Sequence, residues 1–93
     1  MKEVYEKEPD VSWRSIEGQA VLIHNQRGEI RVLNETGTLV WEHLEEGLDS
    51  IARRLAETYE VDPENALRDA EELIADLLQA GAIRVKSGAL PPS

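Results

Sequence analysis

The sequence contains no cysteine and no phenylalanine, and it has a single methionine. Without cysteine the chain forms neither a disulfide nor a thiolate metal site, which fits a reducing compartment. No apolar run follows the charged start Met1-Lys2-Glu3, so we find neither a signal peptide nor a segment long enough to cross a bilayer. We therefore expect a soluble, cytoplasmic protein with no membrane partner.

Basic residues are also scarce. The chain has 10 lysines and arginines against 19 aspartates and glutamates, which gives a formal net charge of −9. Affinity for nucleic acid comes mostly from Lys and Arg contacts with phosphates, so this charge balance argues against a nucleic-acid partner. The length of 93 residues suits one domain with a small core.

The usual signatures of catalysis and metal binding are missing. His24 and His43 have no partner at the spacing of an HExxH or ExxH motif, and the sequence has no GxSxG serine and no glycine-rich phosphate loop. Acidic residues of the last predicted helix spread around it without a histidine, which favours a solvated face over a metal site. These residues are Glu64, Asp69, Glu71, Glu72 and Asp76. We predict a binding module rather than an enzyme, with no cofactor.

The pattern across residues 11–33 predicts three short strands. The segment "VSWRSI" alternates imperfectly, and "QAVLIHN" is a short apolar run typical of a buried strand. The segment "EIRVL" places Ile30 and Val32 on one face and Glu29, Arg31 and Leu33 on the other. Because both connections are short, the three strands are predicted to form an antiparallel meander, and the third strand keeps an open edge.

After Leu33 the periodicity becomes helical. Asn34 is a suitable N-cap for the first helix, and Gly47 is suited to close it in the left-handed region. A second helix is predicted from Asp49, with apolar residues facing inward. These inward residues are Ile51, Leu55 and Tyr59.

The third predicted helix has the clearest start, with Asp62 as N-cap and Pro63 as first helical residue, and it ends at Gly81. Its apolar residues divide between two flanks. One flank carries Ala66, Ala70, Leu73 and Leu77, and the other carries Leu67, Ile74 and Leu78 beside Glu71. Such a wide apolar stripe indicates either a helix buried between two elements or a flank that lines a groove. Residues 83–85 form a short extension.

Four motifs in this order resemble the PqqD family, over about residues 5–85. They are Trp13-Arg14, Leu33-Asn34-x-Thr36-Gly37-x-x-Val40-Trp41-x-x-Leu44, Tyr59-x-Val61-Asp62-Pro63-Glu64 and Leu77-x-x-Ala80-Gly81-x-Ile83. The resemblance implies an α+β, winged helix-turn-helix-like fold, in which a three-stranded antiparallel sheet precedes three helices (βββααα). We divide the chain into an N-terminal arm (residues 1–10), the PqqD-like domain (11–85) and a flexible C-terminal tail (86–93).

The resemblance also implies a function. Such domains recognise the leader of a ribosomally made precursor peptide and present the peptide to a modifying enzyme, often a radical S-adenosylmethionine protein, or to a leader peptidase. The junction after the third strand differs from the form expected in the pyrroloquinoline-quinone pathway, so the pathway stays open.

In that family the leader adds as an antiparallel strand beside the third strand, in the groove between that strand and the third helix. The implied peptide-binding residues are Glu29, Ile30, Arg31, Val32 and Leu33 on the strand and Leu67, Glu71, Ile74 and Leu78 on the helix. Arg27 and Arg31 either pair with leader carboxylates or are solvated charges.

Two other functions are compatible with the same element order. A winged-helix DNA-binding regulator would need a basic recognition helix, whereas the third helix has only Arg68 against six acids, counting Asp62. A scaffold subunit of a larger enzyme would bind its partner without any peptide. The open strand edge also permits a homodimer.

Overall fold

The computed structural model describes residues 4–86, which form five strands and three α-helices. The strands are β1 (Tyr5–Lys7), β2 (Val11–Ile16), β3 (Gln19–His24), β4 (Glu29–Val32) and β5 (Ile83–Val85). The helices are α1 (Glu35–Glu42), α2 (Leu48–Tyr59) and α3 (Pro63–Gln79), with a 3₁₀ turn (Leu44–Glu46) between α1 and α2.

The three predicted strands and three predicted helices are confirmed. Strands β2, β3 and β4 form an antiparallel sheet in that order, and the helices follow it. The turns between the strands depend on Gly18 and Gly28, whose φ angles of 80° and 68° are unfavourable for residues with a side chain.

A second sheet, which the sequence pattern did not predict, joins the two ends of the described chain. Strand β1 pairs antiparallel with β5, with Tyr5 opposite Val85 and Lys7 opposite Ile83. Tyr5 and Ile83 are both buried. Residues 5–7 therefore pack with the core although they fall within the predicted arm. The division into arm, domain and tail stays a prediction, and residues 1–3 and 87–93 lie outside the described residues.

The core lies between the helices and the inner face of the larger sheet. Its largest fully buried side chains belong to α1, the 3₁₀ turn and α2. They are Val40, Trp41, Leu44, Ile51 and Leu55. Trp13 on β2 meets Trp41 edge to face with ring centroids 5.9 Å apart, and the Lys7 ammonium lies 5.2 Å and 5.1 Å from the two centroids. These contacts tie β1 and β2 to the first helix.

Helix ends agree with the sequence pattern in part. The Asn34 side chain accepts a hydrogen bond from the Gly37 N–H at 2.8 Å, which confirms the predicted cap of α1. Asp62 precedes Pro63 as predicted, but its side chain makes no capping bond. Gly47 was predicted to end the first helix in the left-handed region, but its φ of 92° and ψ of 161° lie outside that region. Tyr59 was predicted to face inward from α2, but its side chain is 38% exposed.

The two N-cap residues, Asn34 and Asp62, are expected to differ in how much they stabilise the protein. We expect Asn34→Ala to lower the free energy of unfolding by about 1 kcal/mol, because the Gly37 N–H loses its partner. Asp62→Ala should cost at most a few tenths of a kcal/mol, since no capping bond is lost and only the helix dipole is affected. Chemical denaturation of both variants checks this, and equal losses would contradict it.

Candidate functional site

Strand β4 is an edge strand with one side of its backbone open. Leu33, which follows it, donates its N–H to the Ala20 carbonyl at 2.8 Å. Bonded and non-bonded pairs alternate along antiparallel strands, so the next bonded pair is Leu22 with Arg31. Ile30 and Val32 therefore direct their N–H and C=O groups away from β3, where no described strand pairs with them.

The side chains of β4 point to two faces, as the alternation predicted. Ile30 lies beside Ile23 and Val32 beside Val21, on the face of the sheet away from the core. Ile30 is 69% and Val32 is 58% exposed. The alternate residues point to the inner face, towards α3.

A groove runs along the inner side of β4 towards α3. One end is a pocket of about 160 Å³ between the end of β4 and α3, and the other is a pocket of about 290 Å³ near β5. Arg31 lines both pockets, so they adjoin. The first is lined by Arg31, Val32, Leu33, Asn34, Gly37, Leu73, Asp76 and Leu77, and the second by Val11, Leu22, His24, Glu29, Ile30, Arg31, Ala80 and Ala82.

The helix wall of this groove is acidic. Leu73 and Asp76 line the 160 Å³ pocket, and Asp69 and Glu72 continue the wall towards Thr36. At about 100° per residue, positions 69, 72, 73 and 76 lie on one side of α3. None of the three carboxylates forms an ion pair with another residue in the range 4–86.

The four helix residues predicted to line the groove do not lie in it. Ile74 is 3% exposed and belongs to the core, and Leu67 lines a different pocket, between α2 and α3. Glu71 and Leu78 are exposed and line neither groove pocket. The physical reason is the position of the core stripe, which follows Ala66, Ala70, Ile74 and Leu77, so that β4 meets the opposite flank from the one predicted.

The two arginines at the groove, Arg27 and Arg31, differ in whether other residues bind their side chains. Arg27 donates from Nη1 to the Ala80 carbonyl at 3.2 Å, and the same nitrogen lies 3.9 Å from the Glu29 carboxylate. Arg27 therefore connects the β3–β4 turn to the end of α3. Arg31 forms no ion pair with any residue between 4 and 86, and its side chain is available in the groove.

Gly81 lies in the turn between α3 and β5, between two residues that line the 290 Å³ pocket of the groove. A Cβ at this position would lie 3.4 Å from both the Arg27 Nη2 and the His24 Nε2 atoms, and the φ of 74° also favours glycine. His24 lines this pocket, and its buried Nδ1 atom has no hydrogen-bond partner within residues 4–86. Gly81 thus lets the chain turn from α3 into β5 directly against the groove.

Thr38 forms two hydrogen bonds at the junction where the sheet ends, a role that the sequence pattern did not predict. Its hydroxyl accepts from the Ala20 N–H at 2.9 Å and donates to the Leu33 carbonyl at 3.4 Å. Thr38 is 5% exposed, so these bonds are shielded from water. The detectable signal was a polar residue three positions before Trp41, on the apolar stripe of α1. One side chain therefore joins β3, the end of β4 and α1.

Ion pairs that shift pKa values lie away from the groove. Hydrogen bonds from Arg54 and then His43 lower the pKa of Glu46, and the Glu6 carboxylate raises the pKa of Arg84. These side chains are in the 3₁₀ turn, α2 or the smaller sheet, except that of His43, which lies between α1 and the 3₁₀ turn. Their protonation therefore affects the scaffold rather than the groove.

The sheet of three strands followed by three helices defines a small winged-helix-like α+β domain. Within that class the chain belongs to the PqqD family, because residues 19–83, most of its length, match the family model described as coenzyme PQQ synthesis protein D (PqqD).

Solved structures with the same fold include two leader-peptide complexes. The structure described as TbiB1 in complex with the TbiA(beta) leader peptide is 25% identical, with a TM-score of 0.79, and the match covers 85% of this chain and 94% of that one. A lasso peptide synthetase B1 complexed with the leader peptide is 27% identical, again with a TM-score of 0.79, over 86% and 96% of the two chains. The βββααα fold is thereby confirmed.

Three further findings concern function. No curated protein sequence matches the chain significantly. None of the helices between residues 4 and 86 combines the length and apolarity needed to cross a bilayer. Within that same part of the chain, no three His, Asp or Glu side chains are grouped so that they could hold a metal ion.

The two hydrogen bonds of the Thr38 hydroxyl lead to a prediction about stability. We expect Thr38→Val to lower the free energy of unfolding by about 1–3 kcal/mol, since the buried Ala20 N–H and Leu33 carbonyl lose their partner while the shape is kept. Thr58→Val, the same change on an exposed position of α2, should stay within about 0.5 kcal/mol. Denaturant unfolding of both variants tests this, and an unaffected Thr38→Val protein would show that the hydroxyl is dispensable.

Proposed function

We propose that this domain is a non-catalytic recognition element that binds the leader of a precursor peptide as an additional antiparallel strand on β4. The observation that carries the proposal is the open row of backbone groups on Ile30 and Val32 beside a groove. Strand addition to such an edge takes its affinity from main-chain hydrogen bonds and its specificity from alternate side chains. The leader peptides in the two similar structures support this choice of ligand.

The proposed contact residues lie on β4 and on the flank of α3 that lines the groove. On the strand they remain Glu29, Ile30, Arg31, Val32 and Leu33. Leu33 is only 9% exposed, so its side chain contributes to the bottom of the groove rather than to its rim. On the helix, Leu73 and Asp76 replace the four residues predicted from sequence, with Asp69 and Glu72 beyond them. Arg31 is suited to meet a leader carboxylate, whereas acidic leader residues close to α3 would be repelled.

Charge argues against the nucleic-acid alternative. Within α3 the single basic residue, Arg68, is outnumbered by five acids, and the groove wall itself is acidic. A recognition helix with this charge would be repelled by phosphates. The proposed partners are therefore the leader peptide and the enzyme that acts on the precursor, a radical S-adenosylmethionine protein or a leader peptidase, in the cytoplasm. A homodimer through β4 would compete with the leader for the same edge.

A proline scan of β4 tests the strand addition. Proline is tolerated on an edge strand where its missing N–H faces outward, so we expect Val32→Pro to fold and to weaken leader binding about tenfold. Arg31→Pro should instead lower the melting temperature, since its N–H belongs to the bonded pair with Leu22. Binding is measured by fluorescence anisotropy with labelled synthetic leader peptides, beginning with the TbiA(beta) leader that the similar structure contains.

The Val32→Thr variant is the matched control for the side chain, because it keeps the N–H and the branched shape. Its affinity for the leader should fall less than that of Val32→Pro. A folded Val32→Pro protein that binds the leader as tightly as the natural sequence would contradict strand addition at β4.

A further inference from the structure

The outer face of the larger sheet carries an apolar patch that points away from the groove. We define the outer patch as Val21 and Ile23 on β3 together with Ile30 and Val32 on β4, which the strand register places side by side. Ile23 is 39% exposed, Val32 is 58% and Ile30 is 69%, while Val21 is half-buried. Exposure of apolar side chains therefore increases towards the open edge. Contiguous exposed apolar surface of this kind marks an interaction site.

The outer patch is continuous with the open backbone row, because the same two residues form both. Ile30 and Val32 present their N–H and C=O groups sideways and their side chains to the outer face. In an antiparallel pair, residues that exchange hydrogen bonds lie opposite each other with Cα atoms about 5.5 Å apart and with side chains on the same face. A strand that bonds to Ile30 and Val32 must therefore place every second side chain on the outer face, beside the patch.

We propose that the leader is read on both faces of the sheet, and that its residues opposite Ile30 and Val32 are apolar, β-branched or aromatic residues that extend the outer patch. This inference rests on the proposed function and adds a specificity element outside the groove. Cross-strand apolar pairs stabilise a sheet, whereas a polar residue at these positions would leave Ile30 and Val32 in water. We therefore expect every second side chain of the bound leader to cover the outer patch.

The residues of the added strand between those positions face the groove. They lie opposite Glu29 and Arg31, which point to the inner side. The structure therefore assigns two different environments to alternate leader positions. One is exposed and apolar, and the other is a groove lined by apolar side chains together with Glu29, Arg31 and Asp76. A leader segment of about four residues spans β4, because one strand residue faces one partner residue.

The test uses a random dodecapeptide display library as the probe and the complete chain as the bait. Selected peptides should carry apolar residues at every second position, and they should shift the amide resonances of β4. Ile30→Thr, which keeps a branched side chain, should weaken these peptides about two- to fivefold. Ile16→Thr is the matched control, since Ile16 is 49% exposed on the same face but two strands away.

Three results would overturn the inference, and one of them separates it from the proposed function. Peptides that shift the β4 amides without apolar alternation would contradict the outer-face contact while leaving strand addition intact. Equal weakening by Ile30→Thr and Ile16→Thr would show that the peptides bind across the whole outer face rather than at its open edge. Selected peptides that leave the β4 amides unchanged would contradict the proposed function itself.

Discussion

Strand β4 is hydrogen-bonded on one side only, and this fixes where the sheet can accept another strand. The β3–β4 pairing uses the backbone groups of alternate residues and leaves those of Ile30 and Val32 open. An unpaired row of this kind is a template for another strand. Thr38 and Asn34 hold the junction that ends the sheet, and α3 lies beside the open side without covering it. The groove exists because the sheet stops at β4.

An open apolar edge also carries a risk of self-association, and several features oppose it. The strand is four residues long, and charged side chains flank the exposed Ile30. The formal net charge of −9 and the acidic wall of α3 repel a second copy that approaches the same edge. Short length and charge are the usual protections of edge strands. They fit an edge that remains available to a short peptide.

Local sequence patterns predicted the features that depend on neighbouring residues. The alternation in "EIRVL" assigned the two faces of β4 correctly, and the capping residue at position 34 identified the start of α1. The pairing of β1 with β5 was missed, because three-residue strands at opposite ends of the chain leave no periodic signal. Thr38 was missed because its role depends on Ala20 and Leu33, which only the fold brings to it.

The flank of α3 that faces the groove differs from the predicted one for a geometric reason. Helical spacing fixes which residues share a flank, but it does not fix which flank meets the sheet. Leu73 and Ile74 are adjacent in the sequence, and the broad apolar stripe gave no reason to prefer one as core. In the structure Ile74 is buried beside Ala70, whereas Leu73 is half-buried at the groove. The small residues Ala66 and Ala70, both fully buried, mark the side of closest packing.

A leader strand added to β4 would complete the backbone hydrogen bonding of Ile30 and Val32. Amide hydrogen exchange, measured residue by residue with and without saturating leader peptide, detects whether this happens. We expect the N–H groups of Ile30 and Val32 to exchange rapidly in the free protein and slowly in the complex, while the Arg31 N–H is protected in both. Rapid exchange at Ile30 and Val32 in the saturated complex would contradict it.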